Sequence, residues 1–304
     1  MTAASAQERS RAGGLAFAIC GAIAFSGKAI IVKLAYRYGT DAVTLIMLRM
    51  LFALPLFAAM AWWASRGQAR LAMRDWAGAI GLGVIGYYLS SFLDFLGLRY
   101  VTASLERLIM YVTPTLVLLL GWLLHGKRWQ RRHVIGIAIS YTGVVLVFGQ
   151  ELHVEGSNVA LGTFFVFAST ITYALYLVYS AQVVQRLGSM RLVGLATSVA
   201  CVCAIAQYFA LRTPAALLAV PMPVVWLSVL NAVLCTAVPV LLVMMAVERV
   251  GPAVTSQSGM IGPVSTILMG VVLLGEPFTG WIAAGTAFVI AGIFVFTSSS
   301  RTRA

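Results

Sequence analysis

The chain has few charged residues and no long polar stretch. Only 10% of its 304 residues are charged, 61% are hydrophobic, and the mean hydropathy is +0.95. This composition excludes an ordinary water-soluble globule, because the apolar surface exceeds what such proteins bury. The intervals between apolar runs are also too short for a soluble enzymatic domain. The sequence therefore predicts an all-α membrane protein in contact with the lipid bilayer.

Residue types that hold metals or cofactors are scarce as well. The four cysteines lie within apolar segments and lack the paired spacing of a metal site or a disulfide scaffold, and the three histidines lie outside those segments. The chain has no phosphate-binding loop of the G-x-x-x-x-G-K-[ST] type. The net charge of +12 is spread between apolar segments rather than gathered in a patch, which disfavours nucleic acid as a partner. We expect no cofactor and no metal.

The apolar residues fall into ten segments. A helix needs about 20 apolar residues to cross the hydrocarbon core. We predict transmembrane helices at 13–35, 42–64, 76–98, 101–124, 134–149, 159–181, 191–211, 223–247, 251–274 and 281–298.

An internal duplication relates the two halves of the chain. Leu98–Phe148 aligns without a gap on Val247–Thr297 at an offset of 149 residues, and every glycine and the one proline of the first window are matched in the second. At an offset of 148, Gly14, Phe17 and Phe25 match Gly162, Phe165 and Tyr173. We therefore predict two five-helix repeats, at 1–149 and 150–304. Because five is odd, the second repeat enters the bilayer from the opposite side, and such inverted repeats are typical of alternating-access transporters.

The distribution of basic residues predicts the orientation. With the N-terminus inside, 14 Lys and Arg residues fall in inner loops and termini, and four fall in outer loops. The positive-inside rule then predicts that both termini face the cytoplasm. The four outer residues are Lys33, Arg37, Arg99 and Arg212.

Short motifs carry a family resemblance. The run Leu273-Leu274-Gly275-Glu276-Pro277, followed by Gly285 and Gly292, resembles the closing pattern of the drug/metabolite transporter superfamily in its EamA-like branch. Leu105-Glu106-Arg107 before Pro114, and Arg49, resemble patterns of its fourth and second helices. The resemblance implies a ten-helix secondary transporter of a bacterial-type inner membrane. It implies export of small metabolites such as amino acids or related amphipathic compounds. One departure is Lys127, which stands at the first-half counterpart of Glu276.

Five ionisable residues lie inside predicted helices, where an unpaired charge costs several kcal/mol. They are candidate sites for substrate binding or coupling (Lys28, Asp94, Glu106 and Arg107) or for a structural or gating role (Arg49). In one interpretation, Lys28 or Arg107 faces a substrate carboxylate, while Asp94 or Glu106 faces an amine or relays a proton. In the other, the charges pair with one another as an outer gate. The aligned second-half positions carry no charge.

Aromatic residues and helix breakers complete the candidate site. We predict that Tyr88, Tyr111 and Tyr176 line an amphipathic cavity. Pro114 and Pro263 fall near the middle of the fourth and ninth helices, where proline removes a backbone hydrogen bond, and Gly262 loosens the ninth further. These three residues are predicted to form hinges or static kinks around a cavity.

Three classes of function stay open at this point. An alternating-access transporter, with protons as candidate coupling ions or as a uniporter, fits the duplication. An intramembrane enzyme would need a nucleophile and a base, or two facing aspartates, and Asp94 is the one aspartate within a predicted helix. The third alternative is a receptor or scaffold that transports nothing.

Overall fold

The computed structural model describes residues 3–125, 131–155, 158–258 and 262–297, and every regular element in these ranges is helical. The first half contains α1 (Ala3–Tyr36), α2 (Ala42–Ser65), α3 (Met73–Leu82), α4 (Ser90–Leu98), α5 (Ala103–Met110), α6 (Thr113–His125) and α7 (Arg131–Glu155). The second half contains α8 (Asn158–Leu187), α9 (Ser189–Leu211), α10 (Met222–Ala232), α11 (Val238–Ser258), α12 (Gly262–Met269) and α13 (Gly280–Thr297). Three π-helical turns connect or extend these helices, at Gly83–Leu89, Val233–Ala237 and Gly270–Leu274.

The helices have the length and composition of a multi-pass membrane protein. Seven stretches in the described ranges are long and apolar enough to cross a bilayer, and three shorter apolar helices accompany them, at Val134–Gln150, Ser265–Leu274 and Gly280–Gly292. The longest stretch, Met222–Ser256, runs across the predicted boundary between the eighth and ninth segments. Gly251 breaks the helix there with a φ of 79°, a backbone conformation that glycine adopts without strain.

Helix partners exchange between the halves in the way an internal two-fold axis requires. α1 packs along α11. Their counterparts in the repeat are α8 and α4, and these two helices also pack together. α1 with α12 corresponds in the same way to α8 with α6. α2 packs on its own counterpart α9, and α7 packs on its counterpart α13. The duplication seen in the sequence is therefore a pseudo-symmetry of the packing.

The matched glycines lie where α7 and α13 touch. A Cβ at Gly143 would come within 2.5 Å of the Gly285 carbonyl oxygen, and one at Gly285 within 2.8 Å of the Gly143 carbonyl oxygen. A Cβ at Gly292 would lie 2.5 Å from the carbonyl oxygen of Gly136. Close backbone approach through small residues is the usual way in which helices associate in lipid. Backbone contact between the two helices thus explains why the repeat kept these glycines.

Contacts between the connections define two ends of the bundle. At one end, Arg212 donates to Asp41 at 2.9 Å, which joins the connection after α1 to the one after α9. At the other, the amide of Ser189 donates to Glu248 at 3.1 Å, and Arg186 pairs with Asp75 at 2.8 Å. We name these the Asp41 end and the Glu248 end. The predicted outer loops that these contacts join belong to the Asp41 end.

The fourth predicted helix is interrupted, not simply kinked. α5 ends at Met110 and α6 begins at Thr113, so Pro114 occupies the first turn of a new helix, where its missing N–H is tolerated. The Thr113 hydroxyl donates to the Met110 carbonyl at 2.7 Å and satisfies the oxygen that Pro114 cannot. Pro263, the counterpart of Pro114, lies directly after Gly262 in the described part of α12.

Candidate functional site

Four of the five intramembrane charges form one buried cluster. Lys28 on α1 pairs with Asp94 on α4, and its ammonium nitrogen lies 3.8 Å from Glu106 Oε1. The second carboxylate oxygen of Glu106 lies 3.2 Å from Nε of Arg107 on the same helix. The four residues are between 0% and 6% exposed. We call Lys28, Asp94, Glu106 and Arg107 the charge cluster.

The hydrogen bonding of the charge cluster is incomplete. With both carboxylates ionised, neither oxygen of Glu106 accepts a hydrogen bond within the described part of the chain, and Oδ1 of Asp94 accepts none either. The two carboxyl groups lie within hydrogen-bonding reach of each other, so a proton on one of them would satisfy part of this set. Buried ion pairs recover their desolvation cost only when their remaining polar atoms are satisfied. Replacing a buried ion pair by apolar residues of similar volume is often neutral or stabilising. Stability alone therefore does not account for these four charges.

Arg49 lies apart from the charge cluster. It is 2% exposed on α2, and its guanidinium carbon lies 4.6 Å above the centre of the Phe95 ring. A cation over an aromatic face recovers part of the desolvation cost. Its Nε and Nη2 have no hydrogen-bond partner among the residues that the structure describes. The aromatic contact ties α2 to α4 one residue beyond Asp94.

A central cavity of about 100 Å³ lies beside the charge cluster on the pseudo-symmetry axis. Its wall comes from counterpart helices of both halves, with α1 facing α8 and the α5–α6 region facing the α11–α12 region. Phe25 and its repeat counterpart Tyr173 both line it, as do Arg107 and its counterpart Ser256. The cavity wall is therefore symmetric in the positions of these residues but asymmetric in their charge.

The three predicted cavity tyrosines lie in different places. Tyr111 lines the central cavity, together with Pro114 and Gly262. Tyr176, the counterpart of Lys28, is 1% exposed, and its hydroxyl is hydrogen-bonded to that of Tyr87 at 2.9 Å. Tyr88 is stacked near Phe92 at 6.4 Å between ring centres, outside the cavity wall. Tyr111 is the one of the three that can touch a cavity ligand.

A second cavity, which we call the vestibule, opens at the Asp41 end. It measures about 610 Å³ and is lined by the connections that follow α1, α4 and the last π-helical turn. Burial raises the pKa of Asp41, but hydrogen bonds from Thr44 and Arg212 outweigh this effect and hold the pKa below its usual value. The remaining charged residues of its wall are Lys33, Arg37, Arg99 and Glu276.

Glu276 closes one side of the vestibule. Its carboxylate accepts hydrogen bonds from the amide of Ala103 at 2.7 Å and from the amide and hydroxyl of Ser104 at 3.2 and 2.7 Å. It therefore caps the N-terminus of α5, the helix that carries Glu106 in its first turn and Arg107 directly after it. No local pattern in the sequence indicates that Glu276 contacts α5. Its first-half counterpart, Lys127, lies outside the described residues.

The charge cluster separates the central cavity from the vestibule. Along α1, the cavity wall ends at Phe25 and the vestibule begins at Lys33, with Lys28 between them. Along the fourth predicted helix, the vestibule reaches Thr102 and the cavity begins at Arg107. The intervening residues, at a helical rise of about 1.5 Å per residue, separate the two cavities. The ion pairs lie within this gap and form a barrier.

Comparisons with known proteins agree with this architecture. The model of the EamA-like transporter family matches residues 12–149 and again 160–298. The uncharacterized transporter YcbK of Bacillus subtilis (strain 168) is 31% identical, with 94% of each chain covered. The uncharacterized transporter YetK of the same organism is 24% identical over 82% of this chain and 76% of its own.

A solved crystal structure has the same fold, with a TM-score of 0.69 and 19% identity over 96% of this chain and 99% of that one. The family match takes in both halves of the pseudo-symmetric bundle and the glycines at the contact between α7 and α13. The chain belongs to the EamA-like transporter family.

Proposed function

We propose that the chain is a secondary transporter that exports small metabolites, such as amino acids or related amphipathic compounds, by alternating access. The observation that carries the proposal is the central cavity, which lies on the pseudo-symmetry axis and is lined by counterpart residues of both halves. A ligand held on such an axis can be released to either end when the halves exchange conformations.

The barriers at the Asp41 end support a closed state of that side. The charge cluster lies between the cavity and the vestibule, and Glu276 joins α5 to the connection before α13. Arg37 adds a contact to the Leu274 carbonyl, and Arg212 one to Asp41. To open this end, the protein must break several of these polar contacts. Their solvent-exposed members cost little to break, because exposed ion pairs contribute about 1 kcal/mol or less.

The proposed orientation has ten transmembrane segments in an inner membrane, with both termini in the cytoplasm. The excess of basic residues at the predicted inner loops supports it, 14 against four. The Asp41 end then faces outward, and the Glu248 end faces the cytoplasm. In this orientation the substrate enters from the Glu248 end and leaves through the vestibule.

Transport by the purified chain in proteoliposomes tests the proposal. A panel of labelled small metabolites is assayed for uptake and efflux with a pH gradient present and absent, which separates proton coupling from uniport. We expect at least one amphipathic metabolite to cross. Tyr111→Ala should reduce its flux, and Tyr179→Ala should not, because Tyr179 is 47% exposed on the outside of α8.

Two results would contradict the proposal. Chemical conversion of a metabolite by detergent-solubilised protein, without flux in vesicles, would indicate an intramembrane enzyme. Ligand binding in the cavity with no flux in either direction would indicate a receptor. Accumulation against a gradient by variants that lack the Glu106 or the Asp94 carboxylate would exclude that residue as a proton relay.

A further inference from the structure

We propose that Arg107 binds a carboxylate of the transported compound and that Glu106 is the counter-ion which this carboxylate replaces. The inference rests on the proposed function and names the substrate class of the same cavity. It also assigns unequal roles to the two neighbouring ionisable residues. Arg107 touches the ligand, and Glu106 competes with it.

The guanidinium of Arg107 is poorly satisfied for a group so deeply buried. Its side chain is 7% exposed and lines the central cavity. Nη2 donates to the Phe25 carbonyl at 3.1 Å, and Nη1 has the thioether sulfur of Met110 at 3.8 Å. Nε faces Glu106 at 3.2 Å but is not aligned for a hydrogen bond. Thioether sulfur is a weak acceptor, so an oxyanion in the cavity would form stronger bonds to this guanidinium.

The charges explain why binding is competitive. The charged groups that face Glu106 are Lys28 from α1, Asp94 from α4 and Arg107 from its own helix, and the described parts of α7, α8, α12 and α13 bring none. Lys28 already pairs with Asp94. A carboxylate on Arg107 therefore adds one negative charge to a set that is balanced without it. The charge balance is restored when Glu106 binds one proton, because neutral Glu106 is no longer a counter-ion of Arg107.

The cavity wall indicates the rest of the ligand. Apart from Arg107, the wall is formed mainly by aromatic and aliphatic side chains and by the hydroxyls of Thr255 and Ser256. The Phe25 ring centre lies 5.9 Å from the guanidinium carbon. The described lining residues include no acidic side chain that could pair with an ammonium group. The fitting ligand is a small amphipathic carboxylate, and an amino group is not required. The apolar part of the wall comes from Phe25, Tyr111, Tyr173 and Leu177.

Binding to the purified full chain in lipid nanodiscs tests the inference without transport. The probes are 4-methylpentanoate, leucine and 3-methylbutylamine, which share a branched apolar body and differ in their charged groups. We expect the two carboxylates to bind and the amine not to bind. Between pH 6 and 8, carboxylate affinity should fall as pH rises, by up to about tenfold per pH unit for one coupled proton.

Variants separate the two roles. Glu106→Gln should bind the carboxylates more tightly at pH 8 and remove the pH dependence. Glu106→Gln with Arg107→Gln leaves no uncompensated charge and should weaken binding roughly 10- to 100-fold relative to Glu106→Gln alone. Arg186→Gln is the control, because Arg186 pairs with Asp75 at the Glu248 end. Size-exclusion chromatography and thermal unfolding check that each variant is folded.

Several outcomes would overturn the inference. Equal binding of the amine, unchanged carboxylate binding in the double variant, or a pH dependence that survives Glu106→Gln would each do so. If the protein transports a metabolite that has no carboxylate, this transport depends on Tyr111 and no carboxylate binds, the inference is refuted and the proposed function stands. Carboxylate binding with no flux in proteoliposomes refutes the proposed function and leaves the binding site standing.

Discussion

The contact between Glu276 and the start of α5 is expected to control how often the Asp41 end opens. Glu276→Ala removes an acceptor of three hydrogen bonds, from the Ala103 amide and from the amide and hydroxyl of Ser104. Removing a helix cap costs roughly 1–2 kcal/mol. In the proposed alternating-access cycle, opening this end would separate α5 from the connection that carries Glu276. The loss therefore falls on the closed state, and the open fraction should rise about 5- to 30-fold.

Cysteine accessibility measures this change. The assay uses a background in which the four native cysteines are replaced, and Thr113→Cys provides a reporter in the cavity wall. A membrane-impermeant maleimide, added at the Asp41 end of protein in vesicles, should label the reporter 5- to 30-fold faster in Glu276→Ala. The four replaced residues are Cys20, Cys201, Cys203 and Cys235.

A glutamate cap at the opposite end provides the matched control. Glu248 accepts a hydrogen bond from the amide of Ser189 at the start of α9. Glu248→Ala should not accelerate labelling from the Asp41 end, although it removes the same kind of cap. Equal acceleration in both variants would indicate general loosening. Unchanged labelling in a folded Glu276→Ala protein would refute the reasoning, because it would mean that the contact persists when this end opens.

Two further predictions concern packing and the charge cluster. Gly86→Ala should destabilise the protein by roughly 1–3 kcal/mol and lower its melting temperature, since its Cβ would lie 2.3 Å from the Tyr176 ring, whereas Gly81→Ala, with open space around it, should not. In chemical unfolding, Lys28→Met and Asp94→Asn should each cost about 3–5 kcal/mol, and the double variant should cost less than either because neither residue of this pair is left without its partner. Additive losses would contradict the pairing.

The sequence predicted those features that depend on local composition or on the repeat. The family resemblance is confirmed by the match to both halves. The all-helical membrane fold follows from hydropathy. The matched glycines revealed the repeat in the sequence, but their contact between α7 and α13 is seen only in the structure. The break before Pro114 was predicted only as a kink. The hydrogen bond from the Thr113 hydroxyl to the Met110 carbonyl leaves no signal in the hydrophobic pattern of the sequence.

Tertiary arrangement accounts for what the sequence left open. The intramembrane charges share a depth along their helices, yet depth does not tell which of them meet. Only the packing of α1 against α4 and α5 brings Lys28 to Asp94 and Glu106, while Arg49 turns to Phe95. Likewise, Tyr111 and Tyr176 are both tyrosines in apolar helices, but Tyr111 lines the cavity while Tyr176 bonds to Tyr87. Side-chain partners two to four helices apart leave no periodic signal in the chain.

The glycine contact between α7 and α13 has a consequence for how the protein can be studied. Where Gly143 and Gly285 bring the two backbones into contact, the close packing leaves α7 and α13 little freedom to shift against each other when the other helices move. Substitutions at Gly143 or Gly285 should therefore change the stability of every conformation alike and leave the balance between them untouched. This helix pair offers a fixed reference frame, and spectroscopic labels on its lipid-facing side would report the movement of the remaining helices rather than their own.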